Sequence, residues 1–283
     1  WGGAMIPNLD NWSQPLLALL ALYEKKEWQD YILLGHCLWS AYAFKDTFHK
    51  SHWFLSFWMT YTMGFGGGIF TALFMGDNNE ANQFILSYNM CGVLFAISWW
   101  SVNHFPFDLV AKVYSLLPIR MCGTSCLNIL RAGILVARID QCARLYPGVV
   151  IAPLILGTMG ASAGGLATDP VLRSVYPEQK ELKRSDWAAP AFGLWSGLLG
   201  SLAYVSAVYW YPLVTPPEGK AIVVTFFVAH GLWCEVVGFV DWTRPFARLL
   251  LASANIPDPN AGPRAKKAPS GALKAAQKGK KSN

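Results

Sequence analysis

The sequence predicts an all-α integral membrane protein with seven transmembrane helices, arranged as two inverted three-helix repeats plus one helix. Three observations carry that prediction. The 283 residues are 53% hydrophobic and only 14% charged, whereas a soluble domain carries about 25% charged residues. The charges are pushed out of long apolar runs: residues 188–210 and 221–234 contain none, and about 20 apolar residues cross a bilayer as a helix. Two of the runs also share a glycine-softened pattern. One reads TMGFGGGIF from Thr62 and the other TMGASAGGL from Thr158, the mark of a duplicated unit.

Apolar windows bounded by polar breaks place the spans at 28–44, 53–75, 83–104, 106–134, 146–167, 187–211 and 221–240. The first is short and interrupted by His36. Backbone amides in hydrocarbon must be bonded within their own segment, so each span is expected to be a helix. The breaks carry turn and charge markers, such as GDNNEAN after the second span and PLVTPPEGK before the seventh. An acidic residue, Asp30 or Asp108, opens the span that begins each unit. The units then run over 28–104 and 105–211. Three spans is an odd number, so the second unit sits upside down relative to the first, an architecture of many transport proteins. Residues 1–27 form a non-cytoplasmic N-terminal segment and 212–251 hold the seventh helix with its flanks. Residues 252–283, rich in Pro, Gly, Ala and Lys, read as a disordered basic tail.

The glycines bear two readings. As hinge or pore residues, Gly64, Gly66, Gly67 and Gly68 of the second span, with Gly160, Ser162, Gly164 and Gly165 of the fifth, would bend their helices and line a path between them. Glycine weakens a helix by roughly 1 kcal/mol relative to alanine. As packing residues they would let two backbones approach: Gly64 with Gly68, and Gly160 with Gly164, satisfy the small-xxx-small spacing. Their occurrence in both halves favours the pore reading.

Ionisable residues inside spans are costly and turn toward protein or water. The candidates are Asp108, Lys112, Arg120 and Arg131 in the fourth span and Glu235 in the seventh. Asp108 and Lys112 are four apart and would share a helical face. Arg120 and Arg131 are eleven apart and also fall on one face, making the fourth span a basic, field-sensing element. Glu235 is either a counter-ion for one of those bases or a cation ligand. No enzyme constellation emerges. The five histidines lack metal-ligand spacing, the six cysteines are scattered, and FGGGIF has no following Lys-Ser or Lys-Thr to make a phosphate loop.

Lys and Arg set the orientation. With seven spans, fifteen fall on the C-terminal side and five, Arg138 among them, on the other, so the tail is cytoplasmic. The sequon at Asn11 agrees. Lys280 and Lys281, four and three positions from the end, form a dilysine retrieval signal read by coat proteins at a free cytosolic terminus.

These residues resemble the trimeric intracellular cation channel family of the endoplasmic and sarcoplasmic reticulum, over residues 28–240. FPFDLVAKVYSLLPIR, ending at Arg120, resembles the family's Pro-x-Asp-Leu-x-x-Lys…Leu-Pro-x-Lys/Arg stretch; GTMGASAGGL and MGFGGGIFTALFMGD match its glycine-bearing spans. The resemblance implies two inverted three-helix repeats plus one helix, a homotrimer, and a separate potassium-conducting pore in each subunit. It implies no cofactor beyond the permeant ion, and a role in balancing charge during calcium release and reuptake. In animal members a Lys-Glu-Val-x-x-Arg run contributes a phosphoinositide headgroup site. Here the run reads LNILR, so Arg131 alone carries over as a headgroup candidate. A lysine the family often places beside the fifth-span glycines is Gly160 here, and its seventh-span lysine is Glu235. A secondary transporter of a small solute, built on the same inverted repeat, is the rival expectation.

Overall fold

The computed structural model describes residues 13–45, 52–76, 89–175 and 192–256, and among them every regular element is a helix. Two short-linked helices come first, α1 (Gln14–Glu24) and α2 (Lys26–Ala43). They are followed by α3 (Trp53–Met75) and α4 (Asn89–His104). A 3₁₀ turn (Pro106–Asp108) leads into the short α5 (Leu109–Tyr114) and the long α6 (Leu117–Leu145). Then come α7 (Ile151–Val175), α8 (Phe192–Val205) with a π turn (Ser206–Trp210), and α9 (Pro216–Val237). Residues up to Thr243 form one unit, and α10 (Arg244–Ser253) belongs to a second.

Four of these helices, α6, α7, α8 with its turn, and α9, are long and apolar enough to cross a membrane. To them α3 adds 23 uncharged residues, about 34 Å at the rise of an α-helix. Large apolar side chains face outward, among them Leu73, Phe74, Ile97, Ile155, Trp233 and Val236. In water that surface is a liability, and in lipid it is the expected exterior.

Local chemistry explains where the helices start and stop. α9 begins at Pro216 because Thr215 and Glu218 form a capping box, with Glu218 Oε2 accepting from the Thr215 amide at 2.9 Å. It ends at Gly238, whose φ of 103° no side chain tolerates well. The seventh span therefore lies a few residues earlier than its apolar window suggested. α2 runs without a break through His36, the residue that interrupts the apolar window of the first span.

The fourth span differs most. The sequence suggested one helix over 106–134. The chain instead turns at Pro106, places Phe107 and Asp108 at φ 59° and 55°, and breaks again at Leu116, whose ψ of 132° is extended. Pro118 then sits in the first turn of α6, where its missing amide leaves no bond unmade. α6 continues to Leu145, because polar Arg138, Asp140 and Gln141 do not stop a helix whose neighbours satisfy them. α1 was not foreseen from the sequence, nor was α10.

Two buried clusters hold the unit together. Leu135, Val136 and Ile139 of α6 pack with Tyr204 and Val205 of α8, Phe227 of α9 and Leu20 of α1. Leu33 and Cys37 of α2 pack with Phe65 of α3 and Phe95, Trp99 and Val102 of α4. Phe57 extends the second cluster, meeting Phe95 and Trp99 edge-on at 5.2 and 5.4 Å.

Candidate functional site

The two glycine segments meet. A Cβ on Gly66 would stand 2.6 Å from Gly164 Cα. On Gly67 it would run into the Gly160 carbonyl oxygen, and on Gly164 into that of Met63. α3 and α7 thus touch backbone to backbone, which only glycine permits. Both run unbroken through their glycines, with no left-handed residue in either. In this conformation Gly66, Gly67, Gly160 and Gly164 close that seam, the arrangement of the packing reading. Ser162 bonds along its own helix to the Thr158 carbonyl at 2.6 Å.

The glycine carbonyls are decorated by polar side chains. In α3, Thr71 Oγ1 donates to Gly67 O at 2.6 Å, and in α7 Thr168 Oγ1 donates to Gly164 O at 2.9 Å and Gly165 O at 3.3 Å. His36 Nε2 lies 3.0 Å from Gly64 O. A carbonyl only accepts, so Nε2 carries the hydrogen and Nδ1 is left as a bare acceptor. That nitrogen is buried with no partner, and so is Ser40 Oγ one turn along α2.

α6 supplies three arginines on one stripe, at positions 120, 131 and 138. Arg138 is 2% exposed. Its Nε donates to Thr71 Oγ1 at 2.7 Å, and its terminal nitrogens to Gln141 Oε1 at 2.9 Å and Gly68 O at 3.3 Å. The charge-sided count of loop bases had placed Arg138 outside the membrane. It belongs instead to the interior, and a seven-residue spacing from Arg131 was the available signal. Arg131 turns inward as well. It donates to the Ala161 carbonyl at 2.7 Å, and to Gly193 O and Ser196 Oγ at 2.6 and 2.7 Å. Its guanidinium lies 5.1 Å from the centre of the Phe227 ring. The donors of this headgroup candidate are directed at α7 and α8.

Arg120 pairs with Glu235 at 2.6 Å, and Thr124 Oγ1 donates to the other carboxylate oxygen at 2.7 Å. Of the two roles open to Glu235, the geometry favours counter-ion. Asp108 bonds Lys45 at 2.9 Å, across elements. The helical face expected to join Asp108 to Lys112 does not form, because Asp108 precedes α5 while Lys112 is exposed on it. Lys280, Lys281 and Asn11 lie outside the described residues.

Space opens on the other side of α3. A cavity of about 460 Å³ lies among α1, α2, α3, α6 and α9. Leu33, Phe65, Ile129 and Ile134 form apolar wall, while His36, Gly68 and Arg138 contribute polar groups. Glu24 and Lys220, which form an ion pair joining α1 to α9, line it as well.

A buried base bonded to a helix carbonyl thus stands beside that cavity. A model of the TRIC channel matches residues 44–218. The chain belongs to the TRIC channel family. It is a family of ion channels, not of enzymes. A trimeric intracellular cation channel type B from Danio rerio is 28% identical over 126 residues, 44% of this chain and 43% of that protein. Type 1B.1 from Caenorhabditis elegans is 27% identical over 165 residues, 56% of this chain and 54% of its own length. The matched stretches thus span about half the length of these relatives. Among solved structures, one described as a TRIC counter-ion channel active in calcium release superposes with a TM-score of 0.65 at 16% identity. It covers 78% of this chain and 99% of that one. The C. elegans channel with bound Ca²⁺ superposes with a TM-score of 0.60 at 20% identity, covering 79% of this chain and 97% of its own. α1 and α2 precede the matched family segment.

Proposed function

We propose that this TRIC family member is a passive monovalent-cation channel, conducting potassium across the endoplasmic or sarcoplasmic reticulum membrane as counter-ion to calcium release and reuptake. The family match over 44–218 carries the reading. Each subunit of a homotrimer, built on two inverted three-helix repeats plus one helix, would hold its own path. The cavity among α2, α3, α6 and α9 is its vestibule. The path narrows where Arg138 bonds Gly68 and Thr71, so the described conformation is closed, and opening moves α6 relative to α3. The Gly68 carbonyl, which the Arg138 guanidinium now holds, offers a dehydrating cation an oxygen ligand there once α6 has moved. The C-terminus is cytosolic, with Lys280 and Lys281 engaging coat-protein retrieval machinery.

Planar-bilayer recording of the purified chain with potassium on both sides tests this. Unitary currents that reverse near the potassium equilibrium potential under a gradient are expected. Saturable uptake of a solute without unitary current would identify a secondary transporter and overturn the reading.

A further inference from the structure

We infer that α10 is a membrane-surface helix that docks on anionic lipid, independently of any ion path. At 10 residues it is too short to span a bilayer, and its bases and large apolar groups are unequally spread around it, Leu251 being the one leucine on the basic side. Arg244 and Arg248, four apart, share one face and are exposed. Phe246, Leu249 and Leu250, at i, i+3 and i+4, share the opposite face, and Leu249 is 67% exposed. Such a division of bases from large apolar groups is the pattern of helices that lie in the headgroup plane.

Where the helix sits along the chain supplies the occupant. Six residues, 238–243, separate it from the end of α9, a tether of about 20 Å at most. The start of the helix therefore stays within about 20 Å of the end of α9, a helix long and apolar enough to cross a membrane. No acidic residue occurs from 242 to 257, and the last twenty residues hold seven bases and no acid. A surface with negative potential attracts such a segment, and a neutral one does not. The chemistry is that of a phosphatidylserine- or phosphoinositide-bearing leaflet rather than of one headgroup in a fitted pocket.

The full chain in vesicles tests it by trypsin cleavage after Arg248, corrected for the outward-facing fraction measured in detergent. Cleavage is expected to be about tenfold slower with a third of the lipid as phosphatidylserine than with phosphatidylcholine alone. Raising salt to about 0.5 M should erase the difference, because the Debye length then falls below the spacing of charges across the interface. The double variant Leu249→Asp, Leu250→Asp should be cut equally fast in both vesicles. Equal rates for the unaltered chain, whether both fast or both slow, overturn the proposal: the helix is then free, or covered by protein. Protection that survives in the double variant also overturns it, since the basic tail alone would be responsible.

Discussion

The seam between α3 and α7 and the cavity between α2 and α6 share one helix, α3, and use its two sides in opposite ways. Along the seam, glycines face glycines and no space is left. Along the cavity, Phe65 and Gly68 stand opposite Ile134 and Arg138, and about 460 Å³ stays open. Small residues on both partners close a gap, because backbones approach until they touch. Where Phe65 and Ile134 stand between the helices their bulk holds them apart, even though Gly68 and Gly133 also line the space. Glycine facing glycine, rather than glycine alone, therefore marks where this protein is tightest.

The largest effect expected from breaking this contrast comes at the seam. Gly67→Val places its branch in the Gly160 carbonyl, and neither backbone can yield without parting the helices. Overpacking costs typically 1–3 kcal/mol, and a backbone clash lies at the upper end or beyond. The variant should lose its folded peak in detergent size-exclusion chromatography, or melt far below the parent. Gly92→Ala, in α4, is the matched control. Nothing lies within 4 Å of its Cβ, and alanine is the better helix former by roughly 1 kcal/mol, so its midpoint should hold or rise.

Arg138 comes next, where seam and cavity meet. Arg138→Met keeps the length of the side chain but leaves Thr71, Gly68 O and Gln141 without their cationic donor. Hydrogen bonds to charged groups contribute about 1.5–3 kcal/mol each, offset here by the desolvation the arginine no longer suffers. A net loss of about 2 kcal/mol in thermal unfolding is expected. If Arg138 closes the vestibule, open probability in bilayers should rise in the same variant. A destabilised variant with unchanged gating would confine Arg138 to holding α6 against α3.

The contrast also explains what the letters revealed and what they hid. The long apolar helices were legible because charge is absent from them, and α3 begins and ends where its window did, at Trp53 and Met75. The pairing of the glycine runs was legible as a likeness, but its sense was not. Hinge and seam demand the same residues, and only the partner's position separates them. Arg138 was misread because hydropathy treats a base as the end of a span. Here Thr71, Gly68 and Gln141 satisfy it, and none is near it in sequence save Gln141. α1 lacked a signal of its own, since an apolar stretch of 11 residues falls short of a span. Asp108 was assigned a helical neighbour because the left-handed turn before α5 cannot be read from spacing.

A smaller effect is expected at the Arg120–Glu235 pair, away from both regions. Arg120 is 37% exposed on its side chain, so solvent screens the pair, and Glu235→Gln should cost no more than about 1 kcal/mol. Because the carboxylate is held by Arg120 and Thr124, conductance should be unchanged. A fall in single-channel conductance would restore Glu235 as a cation ligand and move the path toward α9.

The smallest stability change, and the sharpest test of the cavity, belongs to Lys220→Gln. Its partner Glu24 is half exposed, and Lys220 nearly a third, so losing the pair should shift unfolding by less than about 1 kcal/mol. The electrical consequence runs the other way. Removing the cation leaves Glu24 as an unbalanced negative charge lining the cavity, and a charged entrance concentrates ions of opposite sign. If the cavity is the vestibule, cation current should rise, by more at about 10 mM salt than at 1 M, where the Debye length shrinks from about 30 to 3 Å. Glu24→Gln should lower it under the same conditions, with the same salt dependence. Two nearly silent changes in stability, moving current in opposite directions, cannot arise from loosened packing, because loosening has no sign of charge. Equal currents for both variants at low salt would place the ion path elsewhere and leave the cavity a space held open only by the bulk of its walls.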